Sequence, residues 1–281
     1  MNGMPRAPRW IPTLFLAFVA SGAFAQAQPQ SQGFQPQVGQ AGKDVVWVPT
    51  GQGLVDRMLD MAKVTPNDFV IDLGSGDGRT VITAAKRGAR AMGIEYNPEM
   101  VDLSKRNAAS EGVADKAVFM KADLFETDFS RATVITMFLL PSINLKLRPK
   151  ILDLKPGTRI VSNTFTMGDW TDDETATLEE KSGCSYYCTA HLWIVPAKVA
   201  GTWRLPQGEL SLAQNFQMVT GTLKTGDKAV PISDGRLRGD QLHFTAGGAE
   251  YNAHANGNAL EGTVRSGGSN GTWRATRNGA P

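Results

Sequence analysis

The chemistry-bearing residues cluster in Asp72-Leu73-Gly74-Ser75-Gly76-Asp77-Gly78-Arg79. Gly74, Gly76 and Gly78, at every second position, allow the backbone to turn sharply and to approach a ligand lying across a strand end. Ser75 sits in the same turn, and a helix starting behind it would offer free amides and its positive dipole end. The spacing differs from the GxGxxG fingerprint that cradles a pyrophosphate. A carboxylate at Asp72, two residues ahead of the first glycine, suits a ligand ammonium rather than a phosphate. Glu95 closes the next apolar run, where it can accept from both hydroxyls of a ribose. Asp123 follows the third run, where it can accept from an adenine amino group while Leu124 covers the ring. Amino acid, ribose and adenine in that order describe S-adenosylmethionine. Glycines alone are equally well explained as a turn; three acceptors on three successive strand ends ask for more than a turn.

These groups need a frame, and residues 44–197 supply one by alternating between two periods. Short apolar runs at 69–73, 91–95, 117–120, 133–138 and 159–162 read as buried strands. Residues 80–87, 98–110 and 144–154 read as helices, the second with Pro98 in its first turn and the third ending at Pro156-Gly157. Such alternation builds an α/β, Rossmann-like, mostly parallel sheet covered on both faces. A last run at 186–195, after Lys181-Ser182-Gly183, predicts a hairpin and an antiparallel final strand.

On these residues the chain resembles the class I S-adenosylmethionine-dependent methyltransferases, with Asp72 to Gly78 as their first motif. The segments Val46-Trp47-Val48-Pro49-Thr50, Ile71 to Arg79 and Gly93-Ile94-Glu95-Tyr96-Asn97-Pro98 narrow the likeness. They are similar to the small seven-strand protein-lysine methyltransferases that modify ATP synthase subunit c and the adenine nucleotide translocase, and to their bacterial relatives. The resemblance implies S-adenosylmethionine as cofactor, Thr50, Tyr96 and Asn97 beside it, and a protein lysine as acceptor. It also places the acceptor after the fourth strand, at Met137-Phe138-Leu139-Leu140-Pro141-Ser142. That segment lacks the Asn/Asp-Pro-Pro-aromatic signature of adenine-amino enzymes and the Pro-Cys pair of cytosine enzymes, which disfavours nucleic acid as acceptor. Phe138, Leu140, Pro141, Phe165 and Trp170 are the candidate acceptor pocket. Ser162, Asn163 and Asp169 either join them or merely pack a loop. No catalytic base is assigned. A small-molecule methyltransferase and a non-enzymatic exported binder of the cofactor or a nucleoside remain as alternatives.

The rest of the chain frames this domain. Arg6 and Arg9 precede an apolar run, Ile11 to Ala20, and a small-x-small site, Ala23-Phe24-Ala25, in the pattern of a cleaved signal peptide over 1–25. The expectation is a periplasmic or secreted protein with no stable membrane span after cleavage. Residues 26–43, rich in Gln, Pro and Gly, read as a disordered linker. From 199 to 281 the chain holds 14 of its 30 glycines and repeats Gly-Thr-aromatic or Gly-Thr-aliphatic triplets at 201, 221, 262 and 271. Alternating apolar residues between these breaks predict a small antiparallel β barrel or sandwich, separate from 44–197. Without Arg6 and Arg9 the 29 basic residues fall to 27, against 27 acidic, so no one-signed field marks a nucleic-acid binder. Two cysteines, Cys184 and Cys188, and three scattered histidines show no metal spacing. The cysteines could be buried thiols, or a disulfide if the chain folds back between them.

Overall fold

The structure, a computed structural model, describes residues 1–4, 33–179 and 184–277. Nearly all of the expected signal peptide, the expected turn at 181–183 and linker residues 26–32 lie outside the described residues. Among the described residues, no helix is long and apolar enough to cross a membrane.

Seven strands form the first sheet: β1 (Phe69–Leu73), β2 (Arg90–Glu95), β3 (Ala117–Lys121), β4 (Val134–Met137), β5 (Arg159–Asn163), β6 (Glu174–Thr177) and β7 (Thr189–Ile194). Their order is β3-β2-β1-β4-β5-β7-β6. The first five are parallel, and β7 runs antiparallel to both β5 and β6. Alternation along each strand splits the core between two faces. Val70, Val134, Val161 and Leu192 pack against α1 (Gln52–Met61), α2 (Arg79–Lys86) and α3 (Pro98–Ser110). Ile71, Ile135, Ile160 and Trp193 face α4 (Pro141–Leu152) and Trp170. Strand order reverses direction between β1 and β4, and a crevice opens there above the strands' carboxyl ends.

Three local expectations are corrected. Helix α4 begins at Pro141, not Asn144, because a proline fits the first helical turn, where its missing N–H is not needed. Strand β7 begins at Thr189, not Tyr186: Tyr187 adopts φ 57° and turns the chain back, bringing Cys184 and Cys188 into a disulfide with Cα atoms 5.7 Å apart. An extended run over four residues would separate those atoms by about 13 Å. The linker is also more ordered than expected. Gly39 N donates to Trp47 O (2.8 Å) and Trp47 N to Gln40 O (2.9 Å), folding 37–47 into a strap.

The tail is a closed barrel of eight antiparallel strands: β8 (Gly201–Leu205), β9 (Gly208–Asn215), β10 (Met218–Thr225), β11 (Lys228–Arg238), β12 (Gln241–Ala246), β13 (Ala249–Asn256), β14 (Ala259–Ser266) and β15 (Ser269–Thr276). Each pairs with the next, and β15 closes on β8. Inward residues Trp203, Leu210, Leu237, Leu242, Phe244 and Leu260 fill it. The repeated glycines have a steric basis at Gly262. A Cβ there would lie 1.8 Å from Asn252 O, while Trp273, its register partner, donates its indole N–H to both Asn252 O and Thr263 O. Gly262→Val should therefore destabilise the barrel by about 3 kcal/mol, the upper range for overpacking. Urea unfolding checks this, and a loss below about 1 kcal/mol would show that the strands part easily.

Barrel and sheet belong to one compact unit that starts at Phe34. Phe216, between β9 and β10, stacks on Trp170 at 5.8 Å. Gln217 Nε2 donates to Thr171 O (2.7 Å), and Arg236 pairs with Asp173 (2.7 Å).

Candidate active site

The crevice is bounded by the strap, the β1–α2 turn, the ends of β2, β3 and β4, and the start of α4. Of the sequence-predicted residues, it gathers Thr50, Asp72, Gly74, Ser75, Gly76, Glu95, Tyr96, Asn97, Asp123, Leu124, Phe138, Leu140 and Phe165. Gly78 stands behind the lining, capping α2 at φ 83°. Pro141 is used at the first turn of α4 and does not line the crevice. Trp170 does not line it either: it is fully buried between Trp193 and Phe216, at the barrel contact. Asn163 is buried and donates to Thr50 Oγ1 (3.1 Å), and Ser162 donates to Phe165 O (2.7 Å), so both position pocket residues. Asp169 is exposed and pairs with Arg148.

Asp72 is the next-to-last residue of β1 and is 6% exposed. Thr136 Oγ1 donates to it at 2.6 Å. Burial pushes its carboxyl up to about 7, the neighbouring charges of Asp77 and Glu95 push the same way, and the Thr136 hydrogen bond opposes them. Such a group calls for a cation. Glu95 is held by two backbone amides, Gly76 N to Oε2 (3.0 Å) and Asn97 N to Oε1 (2.9 Å), with lone pairs left for the crevice. Asn97 in turn caps α3, accepting from Glu99 N at 2.9 Å.

Asp123 is aimed by Phe125 N (2.9 Å). The Lys43 ammonium, hydrogen-bonded to Asp123, holds its carboxyl below the usual range and is itself raised. Lys43 also lies 4.9 Å over the Tyr96 ring. Arg79, paired with Asp77, donates to Thr50 O (2.9 Å) and ties the motif to the strap's end.

Several features fit S-adenosylmethionine. The Ser75 hydroxyl is buried without a partner. Gly76, at φ 54°, lies so close to Trp47 that a Cβ would come within 2.6 Å of the indole nitrogen. Asp72 would hold the ammonium, Glu95 the ribose and Asp123 the adenine amino group. Glu95→Ala should weaken binding of the cofactor or its demethylated product by about 1.5–3 kcal/mol, the range for hydrogen bonds to a charged acceptor. Calorimetry checks this, and unchanged affinity would remove the ribose assignment.

Sequence reasoning missed Lys43, Trp47 as a wall, and Tyr187. Lys43 carries no signal, since its partner lies 80 residues away. Tyr187 is framed by the two cysteines, and a pairing between them would have pointed to it.

This sheet order with these three acceptors defines a class I S-adenosylmethionine-dependent methyltransferase. The model of the ANTKMT methyltransferase domain matches residues 72–174. A protein-lysine N-methyltransferase of Saccharolobus islandicus is 45% identical over 139 residues, 48% of this chain and 86% of that protein. The adenine nucleotide translocase lysine N-methyltransferase of Mus musculus is 35% identical over 118 residues, 41% of this chain and 51% of its own length. A solved structure described as an RNA methyltransferase from Salinibacter ruber, in complex with S-adenosyl-L-homocysteine, is 47% identical with a TM-score of 0.51. It aligns over 54% of this chain and 96% of its own. The chain belongs to the ANTKMT methyltransferase family, and S-adenosylmethionine is its cofactor.

Proposed function

We propose that this protein transfers methyl groups to a lysine amine of a protein, and does so outside the cytoplasm. The observation that carries the acceptor is the match along 86% of the Saccharolobus protein-lysine N-methyltransferase. The bound cofactor supplies an electrophilic methyl group. This chain's residues hold it, exclude water and prepare the acceptor. An amine attacks only when neutral, and a free lysine has a pKa of about 10.4, so its surroundings must disfavour the ammonium. Leu139, Leu140 and Ile143 give the crevice an apolar side suited to that task.

The test is transfer of labelled methyl from S-adenosylmethionine to an envelope-protein extract, with the modified residue mapped. Label on lysine, at a rate that rises with pH as the neutral amine grows, is the expected result. Label confined to RNA, the class named for the Salinibacter protein, or to small molecules would overturn the lysine acceptor. Absence of transfer with cofactor binding intact would favour a non-enzymatic binder.

Export is supported by Arg6 and Arg9 ahead of the apolar run, by Ala23-Phe24-Ala25, and by the Cys184–Cys188 disulfide, which suits an oxidising compartment. Amino-terminal sequencing of protein purified from its own cells should begin at Gln26; an intact start would refute cleavage.

A further inference from the structure

Strand order separates two kinds of chemistry in the crevice. The carboxylates Asp72, Glu95 and Asp123 stand at the ends of β1, β2 and β3. Three aromatic rings, Phe138, Phe165 and Tyr187, also line the crevice, and they follow β4, follow β5 and precede β7. The rings form one cluster. Tyr187 meets Phe138 edge-on with centroids 5.1 Å apart, Phe138 stacks on Phe165 at 5.9 Å, and Phe165 lies 6.2 Å from Tyr187.

Phe165 and Tyr187 have separate supports. Asn144 donates to Phe165 O and Thr166 O (3.2 Å each), fixing the loop after β5. Tyr187 itself lies outside any helix or strand. It sits at φ 57°, inside the five-residue loop closed by the disulfide. Its side of the crevice is open, and the residue is 45% exposed.

We propose that Tyr187, pinned by the Cys184–Cys188 bridge, completes with Phe138 and Phe165 an aromatic wall that recognises an alkylammonium chain, and that Tyr187 is a specificity-determining residue for the acceptor. This deepens the proposed lysine acceptor and rests on it. A ring face attracts a cation and a methylene chain together, and the attraction is stronger where water is excluded. The wall therefore serves an acceptor before and after methylation. Its apolar surface takes the chain of the neutral amine, and its ring faces retain the methylated ammonium, which keeps its charge at any pH once trimethylated. A disulfide over so short a loop keeps the ring in place by limiting the conformations available to Tyr187.

The experiment uses the full chain loaded with the demethylated cofactor. The probes are a capped peptide carrying Nε-trimethyllysine and the same peptide carrying its neutral carbon isostere. Wild type should bind the cationic peptide at least about fivefold more tightly, a ratio within the range for aromatic faces. Tyr187→Ala should erase the preference and Tyr187→Phe should restore it. Cys184→Ser/Cys188→Ser should erase most of it. Treatment of the wild type with dithiothreitol should do the same, the reagent giving two electrons and two protons to the bridge as it closes its own ring. That treatment keeps the test valid if the double variant folds poorly, and calorimetry of the demethylated cofactor confirms that the crevice survives. Equal binding of the two peptides by wild type, or a preference that survives Tyr187→Ala, overturns the aromatic wall. A preference lost in Tyr187→Ala but intact after reduction overturns the role of the bridge. Neither result depends on which molecule is methylated in the cell, so the lysine acceptor stands or falls separately, on the labelling experiment.

Discussion

Asp72→Asn is expected to weaken S-adenosylmethionine binding by at least about 100-fold, while making the ligand-free protein more stable near pH 8. Both effects come from one buried carboxylate pushed up to about 7 by burial. Removing one partner of a buried ion pair costs about 3–5 kcal/mol, so the affinity loss is large. The folded, ligand-free protein holds a proton on Asp72 that the unfolded chain, with an ordinary carboxyl near 3.8, has released. Folded-state proton excess means that this group's contribution to stability is present below the unfolded value. It is lost as pH rises from about 4 through about 7. Asparagine keeps the shape without the charge and removes that slope. Cofactor affinity runs the other way: it should tighten as pH rises through 7, because the bound ammonium requires the ionised carboxylate. Melting temperatures of both proteins between pH 5 and 8, with calorimetric titrations at the same pH values, check the pair of expectations. Wild-type affinity independent of pH across that range would remove Asp72 as the ammonium's partner.

What could be read from the chain follows the range of the interactions involved. Helix α3 was legible to the residue, because Pro98 in the first turn is a local signal that tertiary packing did not override. The meeting of three carboxylates was legible because parallel strands deliver their carboxyl ends to one edge, which brings Asp72, Glu95 and Asp123 to one crevice. Lys43 and the strap were not: a Gln/Pro/Gly-rich segment has no core of its own, and its order comes from Trp47, Tyr96 and Asp123. Tyr187 escaped because alternation carried strand β7 back to 186, whereas one positive φ and a covalent bond end it at 189. Trp170 was misplaced for a related reason. An aromatic residue in the loop after β5 fits an acceptor pocket or a second core equally well, and only the barrel's Phe216 decides between them.

Trp170→Ala should cost about 3–5 kcal/mol, the range for deleting a fully buried large aromatic, and should uncouple the barrel from the sheet. Trp170 is fully buried, packed by Trp193 of β7 on one side and Phe216 of the barrel on the other. Its backbone oxygen also accepts from Trp193 Nε1 at 2.7 Å. Other ties between barrel and sheet include Gln217 to Thr171, Arg236 to Asp173, Ala197 N to Gly239 O (2.8 Å) and the Arg148 guanidinium over the Phe216 ring (5.2 Å). Arg236 is 45% exposed at its side chain, whereas Asp173 is buried at 1% and also accepts from Ile194 N (2.8 Å), so this pair is a second tie beside the aromatic contact. The Trp170–Phe216 contact supplies the aromatic part of the coupling. Wild type should melt in one calorimetric transition and Trp170→Ala in two, the barrel retaining its own filled core. The loop from Phe165 to Asp173 runs from the aromatic wall to this contact, so the variant should also raise the acceptor KM more than it lowers kcat. A single transition in the variant, or a loss below about 1 kcal/mol, would show that the barrel is held to the sheet by something other than this tryptophan. Intact acceptor KM alongside two transitions would instead confine the barrel to stability and leave the wall to Asn144 and the disulfide.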